Sequence, residues 1–146
     1  MSTFNKSEFR SITVAHAKTD AQRTFLVKFD GSVIISCAYR TAGGTFKRTR
    51  VQKMSLAGND KTGRVYRACT FNAPDAQGKS RPDAMYTHRL VFGAWCNGGV
   101  MPPSGGELHV DHIDNDPKNN HFSNLQLLTA SENLQKGSTV ASKAVA

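Results

Sequence analysis

Alternating apolar residues predict β-strands in the first half of the chain. Residues 24–29 and 33–35 are rich in aromatic and β-branched side chains, and Asp30-Gly31 lies between them. Such runs on either side of Asp-Gly are typical of a β-hairpin. Residues 1–22 have no sustained period, so we expect a loose arm or a short leading element there.

Two further strands are predicted in the middle of the chain. In residues 45–51 and 64–71, cations alternate with apolar side chains, so one face of each strand can pack while the other meets solvent or phosphate. The small and polar residues at 58–60 predict a turn before the second of these strands. Residues 72–82 have the composition of a loop.

The second half predicts a helix followed by the order strand, loop, strand, helix. A capping box from Thr129 to Glu132 opens the last helix, and Gly137 is placed to end it. Residues 97–106 are rich in glycine and proline and predict a flexible bridge. The other predicted elements are a helix over residues 88–95 that ends before Gly98-Gly99, a strand over 107–113, a polar loop over 115–123 and a strand over 125–128.

Composition narrows the class of protein. The 146 residues are 38% hydrophobic and 21% charged, which suits a folded domain of ordinary size and excludes a collagen-like or coiled-coil chain. No stretch approaches the roughly 18 apolar residues of a membrane span, and the N-terminus lacks the apolar core of a signal peptide. The three cysteines form no CxxC pair. We therefore expect an intracellular protein in a reducing compartment.

Positive charge is concentrated in the middle of the sequence. The formal net charge is +8, and residues 40–81 contain ten Lys or Arg against two Asp or Glu. Residues 82–146 contain four Lys or Arg against six Asp or Glu, which makes this part mildly acidic. A basic segment beside an acidic one predicts that a polyanion is held against a site that binds cations.

Polar side chains gather at the junctions of the C-terminal elements. Asp111 and His112 are adjacent at the end of the first predicted strand, and Asn133 lies in the first turn of the last helix. A carboxylate, an imidazole and an amide that converge in this way can bind one divalent ion and supply a base. Neighbours on a strand face opposite sides, so Asp111 and His112 can share a site only where the strand twists or ends. Asp114 and Asp116 can supply that bend through side-chain bonds to the backbone.

This segment resembles the HNH nuclease motif, the ββα-metal fold, in the variant found in phage- and intron-encoded homing endonucleases. Asn133 stands at the final motif position, which matches the homing variant rather than the literal HNH lettering. The match extends over residues 88–136. The matching residues are Val110-Asp111-His112-Ile113-Asp114, Asn119-Asn120, Ser123-Asn124-Leu125 and Ser131-Glu132-Asn133, with His88-Arg89-Leu90-Val91 and Trp95 upstream.

The resemblance implies an α+β fold in which a β-rich, basic N-terminal region precedes a C-terminal ββα-metal module. We expect a DNA-contacting leader over residues 1–80, the nuclease module over 81–137 and a flexible tail over 138–146. The implied source is a bacteriophage, and the implied place of action is the cytoplasm of the bacterial host.

The resemblance also implies catalytic roles. His112 becomes the general base, because an unperturbed imidazole has a pKa of roughly 6.5. Asn124 locks the loop between the strands and so holds His112 in place. Asp111 and Asn133 bind one divalent ion per site, Mg²⁺ or Mn²⁺. His88 and Asn120 are candidates for support of this site from behind.

The expected partner is double-stranded DNA, whose phosphates the basic residues contact without reading sequence. One module makes one cut, so a monomer or weak homodimer is expected to nick one strand by phosphodiester hydrolysis. The predicted DNA-binding residues are Arg40, Lys47, Arg48, Arg50, Lys53, Arg64, Arg67 and Arg89.

Two alternatives remain open at this stage. One is a nonspecific phage nuclease of the same family that degrades or packages DNA, which differs in having no long target site. The other is a DNA-binding protein that keeps the fold and has lost catalysis. The presence of the base and of both metal-ligand candidates argues against the second.

Overall fold

The computed structural model describes residues 5–19, 21–41, 43–59, 64–102 and 108–136, with the backbone alone for residues 57–59, 64 and 65. The strands are β1 (Phe9–Ala15), β2 (Gln22–Lys28), β3 (Ile34–Ser36), β4 (Tyr39–Arg40), β5 (Phe46–Lys47), β6 (Arg50–Val51), β7 (Ser55–Asn59), β8 (Arg64–Pro74), β9 (Ser80–Tyr86), β10 (Leu108–His112) and β11 (Leu125–Thr129). The helices are α1 (Thr87–Cys96) and α2 over residues 130–136, and 3₁₀ turns occupy Lys6–Glu8 and Phe122–Asn124.

The predicted hairpin around Asp30-Gly31 is confirmed. Strands β2 and β3 pair antiparallel, within a sheet of order β1-β2-β3-β6. Gly31 has a φ of +73°, a conformation that glycine adopts without a steric penalty. Of the two expectations for residues 1–22, a loose arm or a short leading element, the structure shows the second, because β1 pairs with β2 along seven residues. Only Ile12 and Val14 of β1 are buried apolar residues, too few to give a clear period in the sequence.

The predicted strand over residues 64–71 is confirmed as part of β8, which lies between β7 and β9 in a second sheet. The predicted loop over residues 72–82 is wrong at both ends, because β8 and β9 continue until a turn at residues 75–79. Pro82 contributes to the loop-like composition of this segment. It nevertheless lies in β9, which is an edge strand, where a missing backbone N–H is tolerated. Gly58 and Asn59 lie in β7 rather than in a turn, and residue 60 falls outside the described part.

The predicted strand over residues 45–51 is instead two short strands in different sheets. β5 pairs with β4, whereas β6 pairs with the edge of β3. Every side chain from Phe46 to Val51 is exposed, so no buried face keeps the segment straight. This arrangement leaves the basic side chains of the segment on the outside of the molecule.

Helix α1 packs at the centre and confirms the helix predicted over residues 88–95. Leu90, Val91 and Phe92 are buried against apolar side chains of β1, β2 and β8. Trp95 is half-buried, and its indole N–H donates to the carbonyl of Val27 over 2.9 Å. The same core cluster includes Leu125 of β11, so it contains residues from both sides of the boundary predicted at residue 80. None of the helices in the described residues is long and apolar enough to span a membrane.

The C-terminal elements follow the predicted order of strand, loop, strand and helix. β10 and β11 pair antiparallel, with His112 opposite Leu125. The predicted capping box is present at the start of α2. The Thr129 N–H donates to the Glu132 carboxylate over 3.2 Å, and the Glu132 N–H donates to the Thr129 hydroxyl over 3.1 Å. Gly137, the tail over 138–146 and part of the predicted bridge lie outside the described residues.

Candidate active site

A small cleft lies where β10 ends. Its cavity measures about 50 Å³, and its lining includes Tyr66, Asp111 and His112. His112 is the last residue of β10 and is buried, whereas Asp111 is half-buried. The two neighbours line one cavity because the strand stops there, which is the geometry that the sequence required.

His112 is held by a buried hydrogen bond. Its Nε2 lies 2.7 Å from the side-chain oxygen of Asn120, and both residues are at least 94% buried, with exposed fractions of 6% and 3%. An amide oxygen only accepts, so Nε2 carries the proton in this arrangement. The lone pair of His112 is therefore on Nδ1, where it can accept a proton from water.

The loop after β10 is tied together by side chains. Asn124 Nδ2 donates to Asp114 Oδ1 over 2.9 Å and to the carbonyl of Asn119 over 2.8 Å. Asp114 also accepts from the backbone N–H of Asp116 over 2.8 Å, and Asn115 adopts a φ of +63°. Hydrogen bonds from Asn119, Asp116 and Asn124 lower the pKa of Asp114 to about 2. The side chain of Asn124 thus hydrogen-bonds within the loop, whereas the side chain that hydrogen-bonds to His112 is that of Asn120.

Aromatic rings form one wall of the cleft. The ring of Tyr66 lies 6.1 Å from that of His112, in a stacked orientation, and the ring of His88 lies 5.0 Å from it. Tyr66 also contacts Tyr86, at 5.8 Å between ring centroids. Burial, together with the smaller effect of the neighbouring His112, lowers the pKa of His88 to about 3. His88 is consequently neutral at physiological pH and supports His112 as part of the wall.

The carboxylate of Asp111 forms an ion pair with Lys136. The ammonium of Lys136 lies 2.6 Å from Asp111 Oδ2 and 2.6 Å from the backbone carbonyl of His112. Gln126, opposite Asp111 on β11, donates to the same carboxylate oxygen over 2.9 Å. A cation held by a carboxylate and a carbonyl oxygen has the donor set that Mg²⁺ prefers. The two oxygens that Lys136 contacts are therefore of the kind that could hold a divalent ion.

Helix α2 provides the other predicted ligand. Asn133 is half-buried and lies three residues before Lys136, so both are on one face of the helix. That face meets the end of β10, because Lys136 contacts Asp111. Among the described residues, no group of three His, Cys, Asp or Glu side chains could hold a metal. An ion at this place depends on amide and backbone oxygens as well as on Asp111.

The predicted DNA-binding residues separate into groups. Lys47, Arg48 and Arg50 line one pocket. Arg50 also lines a second pocket, together with Lys53. Arg40 packs over the ring of Phe46, with 5.5 Å from its guanidinium carbon to the centroid. The structure keeps these five residues together on the exposed side of the first half of the chain.

The remaining three predicted DNA-binding residues lie elsewhere. Arg67 lines a pocket beside Asn120, behind His112. Arg89 is half-buried and donates to the carbonyl of Pro102, and burial lowers its pKa. The side chain of Arg64 is outside the described part of the structure.

The sequence reasoning missed several residues of the site. Tyr66 was assigned no role, although its ring forms part of the wall of the cleft. Lys136 and Gln126 were assigned no role, although both contact Asp111. The spacing of Lys136 and Asn133 on one helical face could have indicated the role of Lys136. The register of β10 with β11 could have indicated the role of Gln126.

One comparison with known proteins gives a match at this site. Residues 85–135 match the family model for HNH endonucleases, and this stretch runs from the end of β9 through α1, β10 and β11 into α2. No curated protein matches the chain, and no solved structure matches it.

Proposed function

We propose that this chain is a metal-dependent DNA endonuclease of the homing type, because residues 85–135 match the family model for HNH endonucleases, which act on DNA. The observation that carries the proposal is the buried hydrogen bond between His112 and Asn120 beside Asp111. His112, with a basic nitrogen, and Asp111, with a carboxylate, thus line the same cleft.

His112 acts as the general base. With the proton on Nε2, its Nδ1 takes a proton from a water molecule, and the resulting hydroxide attacks the phosphorus. The bond from phosphorus to the 3′ oxygen breaks and this oxygen takes up a proton from solvent, which yields a 5′-phosphate and a 3′-hydroxyl. Asn120 orients the imidazole, and the wall of Tyr66 and His88 keeps the ring in place.

Asp111 and Asn133 would hold the divalent ion, Mg²⁺ or Mn²⁺. HNH nucleases generally use such ions, and a bound ion would supply stabilisation of the negative charge on the phosphate and on the departing oxygen. Lys136 must move away from Asp111 Oδ2 for a ligand bond to form there. Asn124 acts indirectly, by fixing the loop after β10.

Double-stranded DNA is the proposed substrate, and cleavage of one strand is the proposed outcome for a monomer or a weak homodimer. The basic residues around β5 and β6 contact the backbone and position the duplex, as phosphate contacts generally do. Phage origin and action in the bacterial cytoplasm follow from the homing type and belong to the same proposal.

Cleavage of supercoiled plasmid tests the proposal. Wild-type protein with Mg²⁺ is expected to convert the plasmid to open circles, and EDTA is expected to prevent this. His112→Ala should reduce the rate by about 10²- to 10⁴-fold, the usual contribution of a general base. Asn133→Ala should require more metal for the same rate, because it removes one ligand.

The alternatives give different products. Random smearing of the plasmid identifies a nonspecific nuclease for degradation or packaging. A plasmid that shifts on the gel but is not cut with any divalent ion identifies a DNA-binding protein without activity. Undiminished cleavage by His112→Ala removes the assigned base and with it the proposed mechanism.

A further inference from the structure

A pocket of about 390 Å³ shares no lining residue with the cleft. Cations line it, namely Arg23, Lys47, Arg48 and Arg50, together with the rings of Tyr39 and Phe71. The pocket opens at the edge of β8 beyond the end of β7, where Arg23 donates to the carbonyl of Asn72 over 3.2 Å. It is formed between the two larger sheets, and none of its lining residues lies within residues 85–135.

Arg23 is fixed in an unusual way. Its guanidinium carbon lies 3.6 Å from the ring centroid of Tyr39 and 5.1 Å from that of Phe71. Aromatic contacts of this kind hold the plane of the guanidinium without neutralising its charge. Its Nε is buried and has no hydrogen-bond partner among the described residues, which leaves a donor unsatisfied. A buried unsatisfied donor indicates a ligand or a water molecule.

The charges around Arg23 repel one another. Burial lowers the pKa of Arg23, Tyr39 raises it, and the nearby Arg50 lowers it. Among the described residues that line the pocket, none is acidic, and no ion pair in the described part of the chain involves these four cations. Bringing like charges together without a carboxylate costs free energy, which an anion in the pocket would offset.

We propose that this pocket binds a phosphate of the DNA backbone, at a distance from the bond that is cut, with Arg23 as its fixed donor. The inference rests on the proposed function for its ligand and assigns that ligand a site remote from the nuclease cleft. Arginine suits this role because its planar fork matches the oxygens of a phosphate. Lys47, Arg48 and Arg50 supply further charge at the mouth.

Strand β8 contributes to both the pocket and the cleft. It provides Tyr66 to the cleft and Phe71 to the pocket, five residues further along the strand. A strand rises about 3.3 Å per residue, so these two residues are roughly 17 Å apart along β8. The pocket is therefore a contact site separate from the cleft.

Binding measured in EDTA tests the proposal independently of cleavage. Fluorescence anisotropy of a labelled 20-base-pair duplex is recorded over a series of salt concentrations for wild type, Arg23→Lys, Arg50→Gln and Lys6→Gln. Lys6→Gln removes one positive charge from the exposed 3₁₀ turn and is the matched control. A thermal melt of each variant verifies that it is folded, and Arg50→Gln serves if Arg23→Lys is unstable.

We expect Arg50→Gln to weaken DNA binding about 5- to 10-fold and to reduce the salt slope by about one unit. Arg23→Lys should weaken DNA binding similarly, because lysine keeps the charge but lacks the planar guanidinium with its two parallel donors. Lys6→Gln should change neither the DNA affinity nor the salt slope. Equal effects of Arg50→Gln and Lys6→Gln would overturn the proposal, since the pocket would then contribute only general charge.

A second arm distinguishes DNA from free phosphate. Inorganic phosphate at 20 mM, with sodium sulfate as the control for ionic strength, is added to a thermal melt of wild type and of Arg50→Gln. Stabilisation of wild type by phosphate without a change in DNA affinity among the variants would assign the pocket to a free phosphate and overturn the DNA ligand. If wild type never cuts plasmid but the pocket variants still weaken DNA binding, the proposed nuclease function fails and this inference stands.

Discussion

His112 Nε2 and Asn120 Oδ1 form a 2.7 Å hydrogen bond inside the protein, eight residues apart in the chain. The bond selects the tautomer of the imidazole, because the amide oxygen has no proton to give. It leaves the lone pair on Nδ1 of a residue that lines the cleft. Asn120 is thus a positioning residue for the proposed base, and its replacement is more informative than that of any other loop residue.

Asn120→Ala is expected to lower the cleavage rate by about 10- to 100-fold, the effect typical of groups that orient a functional histidine from behind. Asn120→Asp retains an acceptor oxygen and should preserve more activity than Asn120→Ala. Asn119→Ala is the matched control, because Asn119 contacts Asp114 and not His112. Initial rates of plasmid nicking give the comparison, and equal losses for Asn119→Ala and Asn120→Ala would contradict the positioning role.

Lys136→Met is expected to strengthen binding of a divalent ion. The Lys136 ammonium now contacts Asp111 Oδ2, so a metal ion competes with it for that oxygen. Removing the competitor should lower the dissociation constant for Mn²⁺ by about 3- to 10-fold, which corresponds to roughly 1 kcal/mol. Calorimetric titration of the free protein measures this without cleavage.

Lys79→Met is the control for the loss of one positive charge, because Lys79 lies in the turn between β8 and β9. It should leave the Mn²⁺ affinity unchanged. Weaker Mn²⁺ binding by Lys136→Met would mean that Lys136 helps to form the site instead of competing for it.

The local elements were predictable from the sequence, and their packing was not. The hairpin at Asp30-Gly31 and the capping box at Thr129 were found because each depends on a few neighbouring residues. β1 was missed because its partner supplies the pairing and only two of its residues face the core. The end of β8 and the start of β9, within residues 72–82, were missed because the turn-forming residues between them dominate the composition of the segment.

The candidate site likewise contains residues that a local pattern predicts and residues whose contacts depend on tertiary packing. His112, Asp111 and Asn133 were identified from a motif whose spacing carries the chemistry. The contact from Lys136 to Asp111 spans 25 residues and depends on how α2 lies against β10. The stacking of Arg23 on Tyr39 depends on how two sheets meet. No short-range pattern contains that information, because these side chains meet only through tertiary packing.

Gly31→Ala is expected to destabilise the protein and to disturb the cleft. A Cβ at this position would lie 2.5 Å from Thr87 Cγ2 and 3.0 Å from Val91 Cγ2, at a φ of +73°. The strain and the clash together should reduce the free energy of unfolding by about 2–3 kcal/mol. The new atom would also lie 3.3 Å from Asn120 Cβ, so the nicking rate should fall as well.

Gly44→Ala separates strain from the clash. Gly44 has a φ of +87°, and a Cβ there would have nothing within 4 Å. Its cost should be about 1 kcal/mol, from backbone strain alone. Urea denaturation of both variants measures the difference, and equal destabilisation would show that contact with α1 contributes nothing.

Asp114 should make the stability of the loop depend on acid. Its pKa is lowered to about 2 in the folded protein, against 3.8 for an unperturbed Asp. The charged form is therefore favoured by folding, so its contribution is fully present above about pH 4 and is lost as the pH falls from about 4 to about 2. Asp114→Asn should be less stable than wild type at pH 7, and the difference should disappear near pH 2. Urea denaturation at pH 7, 4 and 2.5 follows it, and a difference that stays constant across these pH values would exclude Asp114 as its source.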